Sequence, residues 1–201
     1  PWAHSCLLGL TGQLPPSALL VLNPELDKHE RQQYQSLQRL LAQSSLVELA
    51  PAQTEAAISA AAILSPNEPN LSEFFVQFPS WVKELCVIWD AESPPERDYD
   101  CACPVRQTAH PLDNFAAQRN RMLSMCTGEY VLYLDGDENL SEESWQRLPD
   151  LCACENMAGF YFTRQTLYPD KNHAKIGFGL WPDLQLRLFK KTENLRFERP
   201  I

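Results

Sequence analysis

The sequence predicts an α/β protein with a mostly parallel sheet flanked by helices, and three observations carry that expectation. Two strand-length runs, residues 58–64 (ISAAAIL) and 84–90 (ELCVIWD), are apolar nearly throughout, as strands covered on both faces are. Between them Leu71, Phe74, Phe75 and Phe78 recur at the spacing of one buried helix face. From Phe115 a helical segment, a glycine and a third apolar run follow one another and end in Asp135-Gly136-Asp137-Glu138. Strand, helix and strand within about thirty residues make a right-handed βαβ unit.

Taken in order, residues 17–22 read as a short strand after the stiff Pro15-Pro16 pair. Asn23 and Pro24 suit the cap and first turn of a helix that runs to about Gln43. Leu26, Tyr34, Leu37, Leu40 and Leu41 share one face of it, and residues 46–49 read as another short strand. Residues 1–55 therefore form an α/β extension in which no chemistry is visible. The first strand, 58–64, leads into a loop by composition, Ser65-Pro66-Asn67-Glu68-Pro69. Asn70 with Glu73 resembles a capping box, and Pro79 stops the helix.

Residues 91–104 are polar, acidic and proline-rich, hence a loop, and 105–112 read as a strand. Asp113 suits the N-cap of a helix over 115–126, with Gly128 as its C′ residue. Residues 130–134 form the next strand. Ser141 caps a further helix with Glu142 and Glu143 in its first turn, and Pro149 breaks or restarts it. Residues 159–166 alternate as a strand, 168–179 read as a mobile loop, and 183–191 alternate as a half-buried strand. No repeat or low-complexity tract occurs.

The bulk properties narrow the function. The 201 residues suffice for one large domain or a domain with an extension, and 44% hydrophobic content implies a packed core. A net charge of −9 argues against a nucleic-acid surface. No apolar run approaches the ~20 residues of a spanning helix, so no transmembrane segment is expected. The first residue is proline, which fits a processed start. Seven cysteines, two of them (Cys86 and Cys126) in apolar surroundings, fit a reducing compartment. The expected location is cytoplasmic, at most peripheral to the inner face of a membrane. Cys101-Ala102-Cys103 and Cys152-Ala153-Cys154 offer four thiolates for zinc, but their one-residue spacing is shorter than usual; a disulfide between the pairs, or unpaired thiols, is the favoured reading. His4, His29, His110 and His173 form no motif. Neither a Gly-x-Gly-x-x-Gly run nor a P-loop is present, which removes support for dinucleotide and kinase-like chemistry.

The chemistry concentrates at the end of strand 130–134. In open α/β sheets ligands bind outside the carboxyl ends of the strands. Asp135 and Asp137 put hard oxygen donors there, suited to Mn²⁺ or Mg²⁺ carrying a phosphate-bearing substrate.

Residues 58–201 resemble the nucleotide-sugar half of a family 2 glycosyltransferase, a GT-A fold with a Rossmann-like sheet. The likeness rests on four places in order: the run ISAAAILSPNE; Trp89-Asp90-Ala91-Glu92-Ser93, where the family has Asp followed by Gly-Ser; Arg119-Asn120; and residues 129–140, close to the family's Gly-Glu-Tyr-Val-Leu-Leu-Asp-Ala-Asp-Glu. The string Gln185-Leu186-Arg187-Leu188-Phe189 is similar to one in a bacterial branch of lipopolysaccharide-core transferases.

The resemblance implies roles. Asp90 would accept a hydrogen bond from the base, uracil by preference. Leu64, Pro66, Asn67 and Glu68 would line base and ribose. Arg119 would sit near the nucleotide. Asp135 would face the ribose or donor sugar and reach the metal, and Asp137 would be the main ligand of a divalent ion bridging the diphosphate. Glu138 reads as an exposed or supporting acid. The implied reaction is inverting transfer from a UDP-sugar to a hydroxyl of a glycan, lipid-linked or protein acceptor. Its catalytic base is unassigned; Asp183 and Glu198 are candidates by position only. Ala91-Glu92-Ser93-Pro94-Pro95 departs from the family pattern, and the domain, 56–201, is expected to be C-terminally truncated. The alternative is a GT-A-fold binding or scaffold module without turnover. A nucleotidyltransferase would need a glycine-rich basic loop where Ser65–Pro69 stands.

Overall fold

The apolar runs become neighbouring strands of one mixed sheet. The computed structural model describes residues 56–154, 157–170, 172–175 and 183–198. The elements expected before residue 56 lie outside the described residues. β1 (Ile58–Leu64), β2 (Glu84–Trp89), β3 (Val105–Ala109), β4 (Tyr130–Tyr133), β5 (Gly159–Arg164) and β6 (Asp183–Lys190) lie in the order β3-β2-β1-β4-β6-β5. β1 pairs in parallel with both β2 and β4, and β2 with β3; β6 runs antiparallel to β4. The helices are α1 (Leu71–Val76), α2 (Phe115–Met125) and α3 (Glu142–Cys152). No described helix is long and apolar enough to cross a membrane.

The alternation of side chains decides which helix covers which face. Ala61, Cys86, Ile88, Val131, Tyr133 and Phe189 form a cluster with Met122, Leu123 and Cys126 from α2 and its C-cap. On the opposite face Phe75 of α1 stacks on Trp89, Phe78 meets Trp145 of α3 edge-on, and the Tyr130 hydroxyl donates to the Cys152 carbonyl. β1 and β2 are buried along nearly their whole length, as their composition requires.

The described residues divide into two compact units, one of residues 56–160 with 187–198 and one within Tyr161–Leu186. In the latter, Arg164 pairs with Asp183 at 2.7 Å, and Lys175 sits 4.7 Å over the Tyr168 ring. The expected mobile loop is partly ordered there by a bridge between Leu167 and Ala174. Its residues 176–179 lie outside the described residues.

Several expectations about element ends are corrected. Asn70 adopts a left-handed conformation (φ 65°) and makes no side-chain cap, so the Asn70–Glu73 capping box does not form. The cap of α2 is Asn114, whose Oδ1 accepts from Ala117 N at 2.8 Å; Asp113 instead pairs with Arg121. Both neighbours are good caps, and the salt bridge decides between them. Gly128 is not a C′ glycine. Its N–H donates to Ser59 Oγ at 2.7 Å, and a Cβ there would stand 2.5 Å from the Ala57 carbonyl, so it is glycine because two backbones meet. Pro149 does not break α3: it sits near the helix end, where the lost N–H costs one bond, and Ala153 N still reaches the Pro149 carbonyl at 3.1 Å. β6 does not simply alternate, because Arg187, Leu188 and Phe189 are all buried while Leu186 is 40% exposed.

A polar knot closes the N-terminal end of the sheet. Ser59 Oγ, Thr127 N and Thr127 Oγ1 each donate to Glu84 Oε1 at 2.7 Å, and Arg106 donates to Oε2 at 3.1 Å. Although burial opposes it, this set of donors holds the Glu84 carboxyl down at about 2.

Candidate functional site

The chain leaves β1 toward β2 on one side, and β4 is added on the other, so the strand order reverses between β1 and β4. In doubly wound sheets ligands bind at the carboxyl ends of the strands beside such a reversal. Ser65–Asn70 follows β1 there and residues 135–140 follow β4. Asp90 follows β2 next door, its N–H on the Leu64 carbonyl at 2.7 Å.

The two loops meet at Gly136. A Cβ on Gly136 would lie 1.7 Å from Glu68 Oε2 and 2.8 Å from Leu64 Cδ2, so the glycine is what lets Glu68 lie against the Asp135–Asp137 turn. Glu68 Oε1 accepts from Ser65 N at 2.9 Å, while Oε2 is buried without a partner. Burial pushes the Glu68 carboxyl up and the charges of Asp137 and Asp135 add to it, against the pull of the Ser65 N–H. Three carboxylates thus share one electrostatic neighbourhood, and one of their oxygens lacks a donor or cation.

Arg187 of β6 answers part of that charge. It donates to Asp135 Oδ2 at 2.7 Å and to Glu138 Oε1 at 2.5 Å, with its side chain only 9% exposed. Glu138 Oε2 accepts from Asp135 N, so Glu138 braces the turn from both ends. Its side chain is 12% exposed, so of the two readings of Glu138, exposed or supporting, the supporting one holds. Gln77, just past α1, clamps the same loop: Nε2 donates to the Glu138 carbonyl at 3.1 Å, and Oε1 accepts from Leu140 N at 3.0 Å. Asp137 is exposed and forms no hydrogen bond among the described residues.

Below the carboxylates lies Tyr133, its ring between two guanidinium groups, Arg119 at 5.5 Å and Arg187 at 5.4 Å. Burial pushes its hydroxyl up to about 12, with Asp135 adding to the shift and Arg119 opposing it. Arg119 also packs over Phe115 and Phe197, and its Nε is buried without a partner. Asn120 exchanges two hydrogen bonds of 2.8 Å with the backbone of Phe197. The Arg119-Asn120 pair therefore fastens residue 197 to α2, in addition to any part in ligand binding.

Of the other expected residues, Leu64 is fully buried beneath Gly136, Pro66 is half-buried, and Asn67 is exposed with its N–H on Ser65 Oγ. Asp90 Oδ1 accepts from Leu112 N at 2.7 Å, a structural task that leaves Oδ2 for a ligand. Arg187, Tyr133 and Gln77 were not singled out from sequence. The signal for Arg187 was a charge inside an otherwise apolar strand end, a position that asks for a buried counter-ion.

The donors are hard oxygens, which fits Mn²⁺ or Mg²⁺. Asp137 and Asp135 would hold the ion, with Glu68 Oε2 at hand. Among the described residues no three His, Cys, Asp or Glu side chains gather as a metal cage. Sites that share the ion with a phosphate need only one or two carboxylates. The same finding leaves the thiolate-zinc reading of the Cys-x-Cys pairs without a site among the described residues. All six described cysteines are free thiols, so the expected disulfide between the pairs is absent and the unpaired state holds.

The fold defines an α/β protein with a cluster of carboxylates at the switch point of its sheet. No family model matches the chain. A TPR repeat-containing protein of Synechococcus elongatus is 30% identical over 89 residues, 44% of this chain and 20% of that protein. Among solved structures, a mannosyltransferase from Pyrobaculum calidifontis in complex with GDP-mannose and Mn²⁺ is 14% identical with a TM-score of 0.46, covering 78% of this chain and 45% of that one. Residues 1–349 of S. aureus TarS are 19% identical with a TM-score of 0.37, covering 45% of this chain and 30% of that one. The chain thus spans about a fifth of the curated relative and less than half of either structure.

Proposed function

We propose that residues 56–201 are the donor-binding part of a metal-dependent glycosyltransferase of family 2 type, with residues 1–55 as an extension of separate role. The observation that carries this reading is the meeting of Asp135, Asp137 and the unpartnered Glu68 oxygen at the switch point of the sheet. Asp137 and Asp135 hold Mn²⁺ or Mg²⁺ against the diphosphate of a nucleotide sugar, UDP-linked by preference. When bound, the ion stabilises charge on the departing diphosphate. Asp90 Oδ2 accepts from the base, and the 65–68 turn borders base and ribose. Arg187 keeps Asp135 oriented, while Glu138 braces the turn through the Asp135 N–H. The acceptor hydroxyl attacks the anomeric carbon in line, with inversion; the base that takes its proton is not assigned to a residue.

The test is calorimetry of UDP and GDP, each with Mn²⁺, Mg²⁺ or a chelator. UDP should bind with a metal-dependent increment that Asp137→Ala removes. Equal or absent binding under all conditions would refute the reading.

One observation favours a second reading, a binding module without turnover. Arg187 already pairs with both Asp135 and Glu138 and offsets part of their charge, as it would in a site that works without a metal. Such a module binds nucleotide equally with and without the ion and does not hydrolyse a nucleotide sugar.

A further inference from the structure

The segment between Asp90 and β3 carries a feature that sugar transfer does not use. Its two ends are pinned. Tyr99 stacks on Phe75 at 4.5 Å and on Trp89 at 5.9 Å, and the Pro104 carbonyl accepts from Leu85 N at 2.8 Å. Between these anchors the backbone bends at Ala102 and Cys103, and the bend brings Cys101 Sγ to 3.5 Å from Cys103 Sγ. The two thiols differ in access: Cys101 is half-buried, and Cys103 is 4% exposed. A disulfide needs an S–S distance of about 2.05 Å, so the sulfurs must close by about 1.5 Å, within reach of side-chain rotation at a bend.

We propose that Cys101 and Cys103 form a reversible dithiol–disulfide couple, in which Cys101 attacks a small-molecule disulfide and Cys103 resolves the product. The Cys101 thiolate attacks one sulfur of the disulfide RSSR. That S–S bond breaks, and the first RS⁻ leaves and takes a proton from water. Cys103 gives its proton to solvent and attacks Cys101 Sγ, expelling the second RS⁻, which is protonated in turn. The protein loses two electrons and two protons, and RSSR becomes two RSH. Cys103 can remain buried throughout, because its target is the adjacent sulfur.

The electrostatics support the division of labour. The hydrogen bond from Cys103 brings the Cys101 thiol down to about 7, against burial, while the same contact pushes Cys103 up. Asp100 faces Cys101 and opposes the drop, and Glu84 adds to the rise at Cys103. Among the described residues the other thiols are less accessible or engaged, Cys152 being 8% exposed. Cys86 and Cys126 are at most 1% exposed in the core, and Cys154 is engaged with the Asp150 carbonyl.

The test equilibrates the full chain with glutathione and glutathione disulfide over a range of ratios, followed by acid quench, alkylation and peptide mass mapping. The wild-type protein should convert to a species two hydrogens lighter, with Cys101 and Cys103 losing alkylation together. Cys103→Ala should stop at one glutathione on Cys101, and Cys101→Ala should leave Cys103 unmodified. Alkylation of Cys101 at pH 7 should slow about threefold in Cys103→Ala, from the lower thiolate fraction offset by higher nucleophilicity. A stable glutathione adduct on wild-type Cys101, first modification at Cys103, or cross-linking to another cysteine would overturn the proposal. The wild-type mapping decides it even if a variant fails to fold.

Discussion

Replacing Arg187 by leucine makes stability and ion binding move in opposite directions. The guanidinium is 9% exposed and serves two carboxylates, Asp135 at 38% and Glu138 at 12% exposure. Removing one partner of a buried ion pair costs about 3–5 kcal/mol, because a charge is left behind in a poor solvent. Asp135 is open enough to regain water, whereas Glu138 is not, which places the loss near the lower end, about 3 kcal/mol. At about 2–4 °C per kcal/mol for a chain of this size, the midpoint should fall by about 6–12 °C. Urea unfolding followed by tryptophan fluorescence measures the first quantity. The second is Mn²⁺ affinity by calorimetry, which should rise about tenfold, since a positive charge leaves the vicinity of the ion. A second substitution, Glu138→Leu, in the same chain should recover part of the lost stability by removing the stranded charge. An unchanged unfolding midpoint, or weaker Mn²⁺ binding in Arg187→Leu, would refute the account of the cluster.

Glu84 predicts a pH dependence. Its carboxyl titrates at about 2 in the folded chain against an ordinary 4.5, so its stabilisation is present above about pH 4.5 and lost as pH falls toward 2. Because Glu84 is only 5% exposed, the shift corresponds to about 3 kcal/mol at neutral pH. Wild type and Glu84→Gln should differ by about that much at pH 7 in urea titrations and converge near pH 2. Gly128→Ala drives a methyl against the backbone of Ala57 and Ser59 and should destabilise by more than about 2 kcal/mol, read from the denaturation midpoint. The nearest atoms to a methyl in Gly136→Ala belong to the side chains of Glu68 and Leu64; it should lower Mn²⁺-dependent UDP binding more than stability, measured by calorimetry beside a thermal melt. Asp137→Ala, at an exposed site, should shift stability by less than about 0.5 kcal/mol while removing the metal-dependent increment.

Much of the architecture was legible because it depends on local period. Residues 58–64 and 84–89 are apolar at nearly every position that a doubly covered strand buries, Ser59 and Glu84 excepted, and β1 and β2 occupy those positions. The helix over 115–125 was legible from its bounded run. The ends were harder. Asp113 and Asn114 are equivalent caps by residue type, and only the contact with Arg121 separates them. Gly128 was read as a helix stop because glycine suits both a left-handed turn and a close approach, and sequence does not distinguish the two. For the candidate site, Asp135 and Asp137 were visible as acids at a strand tip. For Glu138 the sequence left an exposed and a supporting role open, since a third acid in a turn is ordinarily solvated, and the contacts with Arg187 and Asp135 N decide for the second.

The sequence by itself determined an α/β chain whose strand 130–133 ends in a pair of carboxylates, because strand, helix and turn signals act within a few residues. Only the tertiary structure decided which groups those carboxylates face. Glu68 arrives from the neighbouring loop and rests on Gly136. Arg187 comes from a strand that reverses direction, 52 residues from Asp135 and 49 from Glu138. A buried charge is settled by whichever counter-charge the packed sheet brings within about 3 Å, and that distance is set by strand order rather than by any local pattern.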